Sequence, residues 1–198
     1  MFNITMKIKA FALAAVAFIG IGIASCSSKE EAAPQETVIS VDSLMSDPSA
    51  LVGDTIEIKG LCSHLCSHGA RKAFLLGADS TTIIRCEATP EMGGAFALDA
   101  KGKELTVRGI VRESRIGEAE VAAMEERYAA ADSAANKHEA CETEKKAQGQ
   151  DSIDTFAARM ADYRTKIAAR TEAEGKDYLS FYYIEALSYT IDNAEAAE

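Results

Sequence analysis

The sequence predicts a mainly β fold with an α insertion: five strands, with a long antiparallel helical hairpin between the fourth and fifth. Three observations lead there. Residues 55–61 and 103–111 alternate apolar with polar side chains, the period of strands with one buried face. Residues 72–76, 81–85 and 178–191 are rich in aromatic and β-branched residues, which suit strands. Residues 113–176, by contrast, are rich in Ala and Glu, lack Pro and hold few β-branched residues, which is a helix composition.

The N-terminus comes first in chain order. Lys7 and Lys9 precede an apolar run over residues 10–23, then Ile23-Ala24-Ser25-Cys26. That is the layout of a secretory signal, and the run is shorter than the ~20 residues needed to span a bilayer core. Residues 1–25 therefore predict a removed signal peptide, with Met6 as an alternative start to Met1. Ile23-Ala24-Ser25-Cys26 resembles the lipobox of bacterial lipoproteins, which implies lipid on Cys26 and attachment to a membrane through it. The alternatives are a plain signal with an incidental cysteine and a short membrane anchor. Residues 26–37 are small and polar, include Pro34 and read as a flexible tether. The acidic pair Glu30-Glu31 resembles the surface-export signals of Bacteroidota lipoproteins. The implied location is the cell envelope, as an outer-membrane lipoprotein on the periplasmic face or the cell surface.

The formal net charge is −10, and two of the 21 basic residues leave with the signal, so 19 stand against 31 acids in the remainder, a net −12. Such a polyanion argues against binding a phosphate backbone, so no nucleic-acid partner is expected.

Residues 38–198 are expected to form one domain. A lead-in helix near Val41 to Met45, capped by Asp42 or Ser43, precedes the first strand. Gly60 and Gly109 mark bulges where strands bend strongly. Five strands in this order, with a helical stretch over residues 91–98 between the third and fourth, resemble an OB-fold, the small Greek-key barrel. Leu51-Val52-Gly53-Asp54-Thr55-Ile56 to Gly60, matched later by residues 102–109, resembles the OB-type domains called tRNA-anticodon-like in Bacteroidota envelope proteins, over residues 38–111 and 178–191. That family name carries no ligand with it. Within the insertion, Val121, Met124, Tyr128, Ala131, Ala135 and His138 keep a three-four spacing. Ile153, Phe156, Met160, Tyr163 and Ile167 do the same, so two seams face each other. Asp151 or Ser152 is expected to cap the second helix and Gly175 to end it.

One constellation could carry chemistry. Cys62, His64, Cys66 and His68 stand at alternate positions, which on an extended strand line one face. At ~3.3 Å per residue the outer two are about 20 Å apart, so either neighbours pair or a turn near residues 68–71 folds the last one back. Thiolate and imidazole together suit zinc or cuprous copper, with Cys86 as a further ligand. Disulfides compete in an oxidising envelope, with Cys62 or Cys66 bridged to Cys86, and plain packing is the third reading. The segment through His64, Cys66, His68 and Lys72 also resembles one found in this OB-type group, where it implies a metal or redox role.

His138 and Cys141, three apart, form a possible second metal set. A continuous helix from Gly117 would carry them about 32 Å away at 1.5 Å per residue, too far to join Cys66 within one chain. No Walker loop, dinucleotide fingerprint or nucleophile elbow is present, so no enzyme is expected. The expected function is an envelope lipoprotein that binds Zn or Cu. The alternatives are an interaction module that presents the hairpin to an envelope protein, and haem handling, where the absence of Cys-X-X-Cys-His disfavours covalent attachment.

Overall fold

The computed structural model describes residues 38–131 and 140–192. The signal segment, Cys26, the tether and His138 lie outside the described residues. No helix among the described residues is long and apolar enough to cross a membrane.

The chain begins with a three-residue strand β1 (Val38–Ser40), a helix α1 (Val41–Ser46) and a 3-10 turn at Pro48–Leu51. The strands β2 (Thr55–Leu65), β3 (Lys72–Leu76), β4 (Ile83–Ala88), β5 (Glu104–Gly117) and β6 (Tyr178–Asp192) follow. Between β5 and β6 stand α2 (Glu118–Ala130), α3 (Glu142–Ala147) and α4 (Phe156–Glu174). The sheet runs β1-β2-β3-β4-β6-β5, and β2 also pairs with β5, so β2 to β6 close into a five-stranded barrel. All barrel pairings are antiparallel except β4 with β6. This is the OB-like barrel expected from the sequence, with β1 as an unforeseen sixth strand laid parallel on β2.

Alternation places Ile58, Leu75, Ile84, Leu105, Val107, Val111 and Ile184 in the barrel core, where Val41 and Leu44 of α1 join them. A second core lies under the insertion and holds Val121, Met160, Tyr163 and Ile167, with Ile116, Leu179 and Phe181 from the far ends of β5 and β6. Helices α2 and α4 run antiparallel: Tyr128 near the end of α2 stacks on Phe156 at the start of α4, while Glu118 at the start of α2 meets Arg164.

Local details depart from the sequence expectation in physical ways. Ser40, rather than Asp42 or Ser43, caps α1 by accepting from the Ser43 amide, and Asp42 instead accepts from the Ala78 amide at 2.8 Å. Thr155, rather than Asp151 or Ser152, caps α4, while Gly175 ends it in the left-handed conformation as expected. The stretch over residues 91–98 is not one continuous helix: 3-10 turns at Pro90–Met92 and Leu98–Ala100 overlap its two ends, with non-helical chain between them. The first arm of the hairpin ends at Ala130, since Ala131 is extended, and the rest of the expected seam, Ala135 and His138, lies outside the described residues. A short third helix, α3, packs near β4.

The β5–β6 register shifts between Arg108 and Gly109, but the extra residue is Leu187 of β6, so Gly109 stands opposite that bulge rather than in it. The other bulge lies at Ser63 rather than Gly60. Gly60 is needed for close approach instead, because a Cβ there would sit 2.9 Å from the Leu76 carbonyl oxygen. A Cβ on Gly109 would strike Ile184 and stand 2.6 Å from the Glu185 carbonyl oxygen. Gly109→Ala is therefore expected to destabilise the domain by about 1–3 kcal/mol, as overpacked cores do, read as a lower urea midpoint at unchanged slope. An unchanged midpoint would contradict this packing.

Candidate functional site

The β2 bulge decides where the four alternating residues go. Cys62 and Leu65, three apart, both point into the barrel core, so the one-face arrangement expected for Cys62, His64, Cys66 and His68 does not form. Cys62 is fully buried, with its thiol facing the His64 carbonyl at 3.7 Å. Cys86 is also fully buried in the core. β3 lies between β2 and β4, so the two cysteines are not cross-strand neighbours. Burial pushes both thiols above their usual range, with the Cys62 sulfur adding to the effect on Cys86. All four described cysteines are free thiols.

His64 lies on the outside of the barrel, paired with Phe74 across β2 and β3 and tilted against its ring at 5.7 Å. Its Nε2 is buried without a hydrogen-bond partner, and desolvation, with Lys101 as a second cause, lowers its pKa. Phe74 sits between the core residues Ala73 and Leu75 and so points outward, where it lines a small pocket with Glu144 and Ala147 of α3. Arg85, opposite Phe74 on β4, continues this outer row to Tyr183 on β6, over whose ring its guanidinium lies at 5.0 Å.

β2 ends at Leu65 and the chain turns, with the Ala70 amide donating to the Cys66 carbonyl and the Cys66 amide to the Lys72 carbonyl. The turn brings Cys66 Sγ to 3.7 Å from His68 Nδ1. These two of the five predicted ligands are neighbours, which is the folding-back alternative read from the sequence.

The turn forms the rim of a cleft of about 670 Å³ between the outer barrel wall and the insertion. Cys66, His68, Lys72 and Arg85 line the barrel side, while Tyr128, Cys141, Glu144, Phe156, Arg159 and Tyr163 line the helical side. Cys141 therefore shares a cleft with Cys66 and His68 in a single chain. The expected separation of about 32 Å holds only for one unbroken helix, whereas α2 stops at Ala130 and the chain has returned to the barrel by Cys141. Among the described residues, no three His, Cys, Asp or Glu side chains are placed to hold one ion together.

Glu144 docks α3 onto the barrel. Its Oε1 accepts from Arg85 Nη1 at 2.7 Å and Lys72 Nζ at 3.3 Å, at a side chain only 15% exposed. Arg85 Nε also meets Glu87 at 3.0 Å. Deeper in the cleft, Arg159 donates from Nε to Gln150 Oε1 and from Nη2 to Gln148 Oε1 and the Tyr163 hydroxyl oxygen. Burial raises the Tyr163 phenol pKa against the opposing pull of Arg159. Glu144, Arg85 and Arg159 escaped the sequence reading, since nothing in a solvated Ala/Glu-rich helix or in an isolated strand arginine marks a residue that will be buried. In OB-folds the second and third barrel strands, the loop between the first two and the loop between the last two form the ligand face. The cleft occupies that place.

No protein-family model matches the chain, and no curated protein matches it. Among solved structures it is similar to one described as an aspartyl-tRNA synthetase from Leishmania major Friedlin, at 20% identity and a TM-score of 0.28. The match covers 44% of this chain and 18% of that one.

The placement of the thiols predicts their reactivity. Under native conditions iodoacetamide should modify Cys66 and Cys141, both partly exposed, while Cys62 and Cys86 resist until urea opens the barrel. Peptide mass spectrometry would read this directly, and equal labelling of all four in the folded protein would contradict the geometry.

Proposed function

We propose that this chain is a lipid-anchored envelope protein that binds a soft transition metal, zinc or cuprous copper, at the mouth of the barrel–helix cleft and catalyses no reaction. The observation that carries the proposal is the Cys66 Sγ to His68 Nδ1 approach of 3.7 Å on a tight turn, at the rim of a cleft that Cys141 also lines. A thiolate and an imidazole held within one turn are two soft or borderline ligands already close together. Cys141, on the helical wall of the same cleft, is the candidate third and would have to close on Cys66 and His68, since no three such side chains among the described residues stand together as they are. His138, three residues before it in the sequence, is the candidate fourth in a tetrahedral set of two cysteines and two histidines.

This reading narrows the ligand set expected from the sequence. Cys62 and Cys86 belong to the packing of the barrel, where their raised thiol pKa values oppose the thiolate form that a metal needs. His64 lies tilted against Phe74 and is not a ligand. The anchor is the lipid on Cys26, supported by the basic flank, the apolar run and the lipobox-like residues before that cysteine. It would hold the cleft near a membrane surface on a short polar tether.

Elemental analysis of untagged protein purified from the envelope tests the metal. Stoichiometric zinc or copper is expected in the wild type and in His64→Gln. It should be lost in Cys66→Ser/His68→Ala, and Cys141→Ser should bind more weakly by about 10-fold or more in a chelator competition. Absence of metal from the wild type, or metal retained by the double variant, would sink the proposal.

A further inference from the structure

We infer that the interior of this cleft is a site for a small organic anion, whose charged end meets Arg159 and whose aromatic or apolar body lies against the rings of the helical wall. The inference is independent of the metal at the mouth.

Arg159 is 6% exposed, yet no carboxylate among the described residues lies within 4 Å of it, and its partners are the neutral Gln148, Gln150 and Tyr163. Its Nη1 makes no hydrogen bond to the described residues, although the side chain lines the cleft. A guanidinium removed from water without an opposite charge is unfavourable unless something pairs with it. Elsewhere in the cleft the chain does supply the counter-charge: Lys72 and Arg85 share Glu144, and Arg85 also reaches Glu87. Among the described residues, none supplies a counter-charge to the buried Arg159.

The field around the site points the same way. Among the described residues five cations line the cleft, Arg71, Lys72, Arg85, Arg127 and Arg159, against two carboxylates, Glu87 and Glu144, in a chain whose net charge is −10. A concave wall with one sign of charge concentrates ligands of the other. Arg71 and Arg127 are exposed and have no carboxylate partner among the described residues, so they are placed to draw an anion inward. A long phosphate polymer would still be repelled by the acidic remainder of the molecule, which restricts the ligand to a small one. The rest of the lining supplies its other half: Tyr128 and Phe156 stack at 4.0 Å, and Met124, Met160 and Phe181 continue an apolar surface. A volume of about 670 Å³ lies within the ~300–1,000 Å³ typical of sites for small molecules.

Isothermal titration of the full chain in chelator-containing buffer, with 2-naphthoate, 2-naphthyl phosphate and the neutral 2-naphthamide, tests the inference apart from any metal. At least one of the two anions should bind about tenfold or more tighter than the amide, and which of them does identifies the carboxylate or phosphate preference. Arg159→Gln should remove that advantage and leave amide binding unchanged. If Arg159→Gln does not fold, Arg127→Gln, altered at an exposed position, should weaken the preferred anion several-fold and leave the amide unaffected. Anions that bind no better than the amide, no binding of any of the three, or an advantage that persists in the folded variant would overturn the site.

Discussion

Seven successive residue pairs between Thr55–Leu61 of β2 and Glu104–Ile110 of β5 close the sheet on itself, and the rest of the structure depends on that closure. A sheet of this size left open would expose two edges of unpaired amides and carbonyls, whereas a closed one has its backbone groups satisfied and a single enclosed core. Closure also separates the two faces of every barrel strand. What points inward, Cys62 and Cys86 included, is committed to packing, and chemistry must be built on the outside. The Ser63 bulge adjusts that division at the end of β2. One extra residue inverts the alternation, which keeps Leu65 in the core and delivers Cys66 to the turn.

The outer wall acquires a partner because α3 and α4 lie over β3, β4 and β6. The contact combines an apolar floor, Phe74 and Phe181, with one carboxylate, Glu144, that satisfies two cations at once. A charged bridge so poorly exposed is weak evidence for net stability, because desolvation offsets much of the attraction, but it is strongly directional. Its effect is to fix where α3 sits relative to the Cys66–Ala70 turn, and so to bring Cys141 to the cleft. At the solvent side, Arg164 holds both Glu118 and Glu125 in pairs of 2.8 Å, which tie α4 to α2. Such exposed pairs contribute little to stability and mainly set the alignment of the two helices.

The barrel was legible in the sequence because its signals are local: alternation in residues 55–61 and 103–111, and β-branched or aromatic runs elsewhere. β1 was not, since three residues carry no period. The helical insertion was legible by composition, but its course was not. Ala-rich sequence allows a helix to continue and does not require it to, and nothing in the residue spacing marks the break after Ala130. The candidate site divides along the same line. Cys66 and His68 were found because two residues of separation in a turn is a local fact. Cys62 was assigned to the same cluster because a bulge, which shifts residues by one, leaves no signature at Ser63, and Cys86 because the sequence does not show which face of β4 turns into the barrel. Arg159 was invisible for a further reason: whether an arginine is solvated or buried without a counter-ion is decided by groups from other elements, here Gln148, Gln150 and Tyr163.

In the β5–β6 ladder Gly117 faces Tyr178, so the chain leaves the barrel wall for residues 118–177 and returns at the same point. The excursion enters and exits through one doorway, and the barrel strands keep their pairing whatever the length or shape of the segment between. Closing so long a loop is also entropically insensitive to its length, since doubling it adds only about 0.6 kcal/mol. The barrel thus serves as a fixed mould with one interchangeable face. Half of the cleft can be recast by insertion or deletion while the other half, and the turn that carries Cys66 and His68, stays in register.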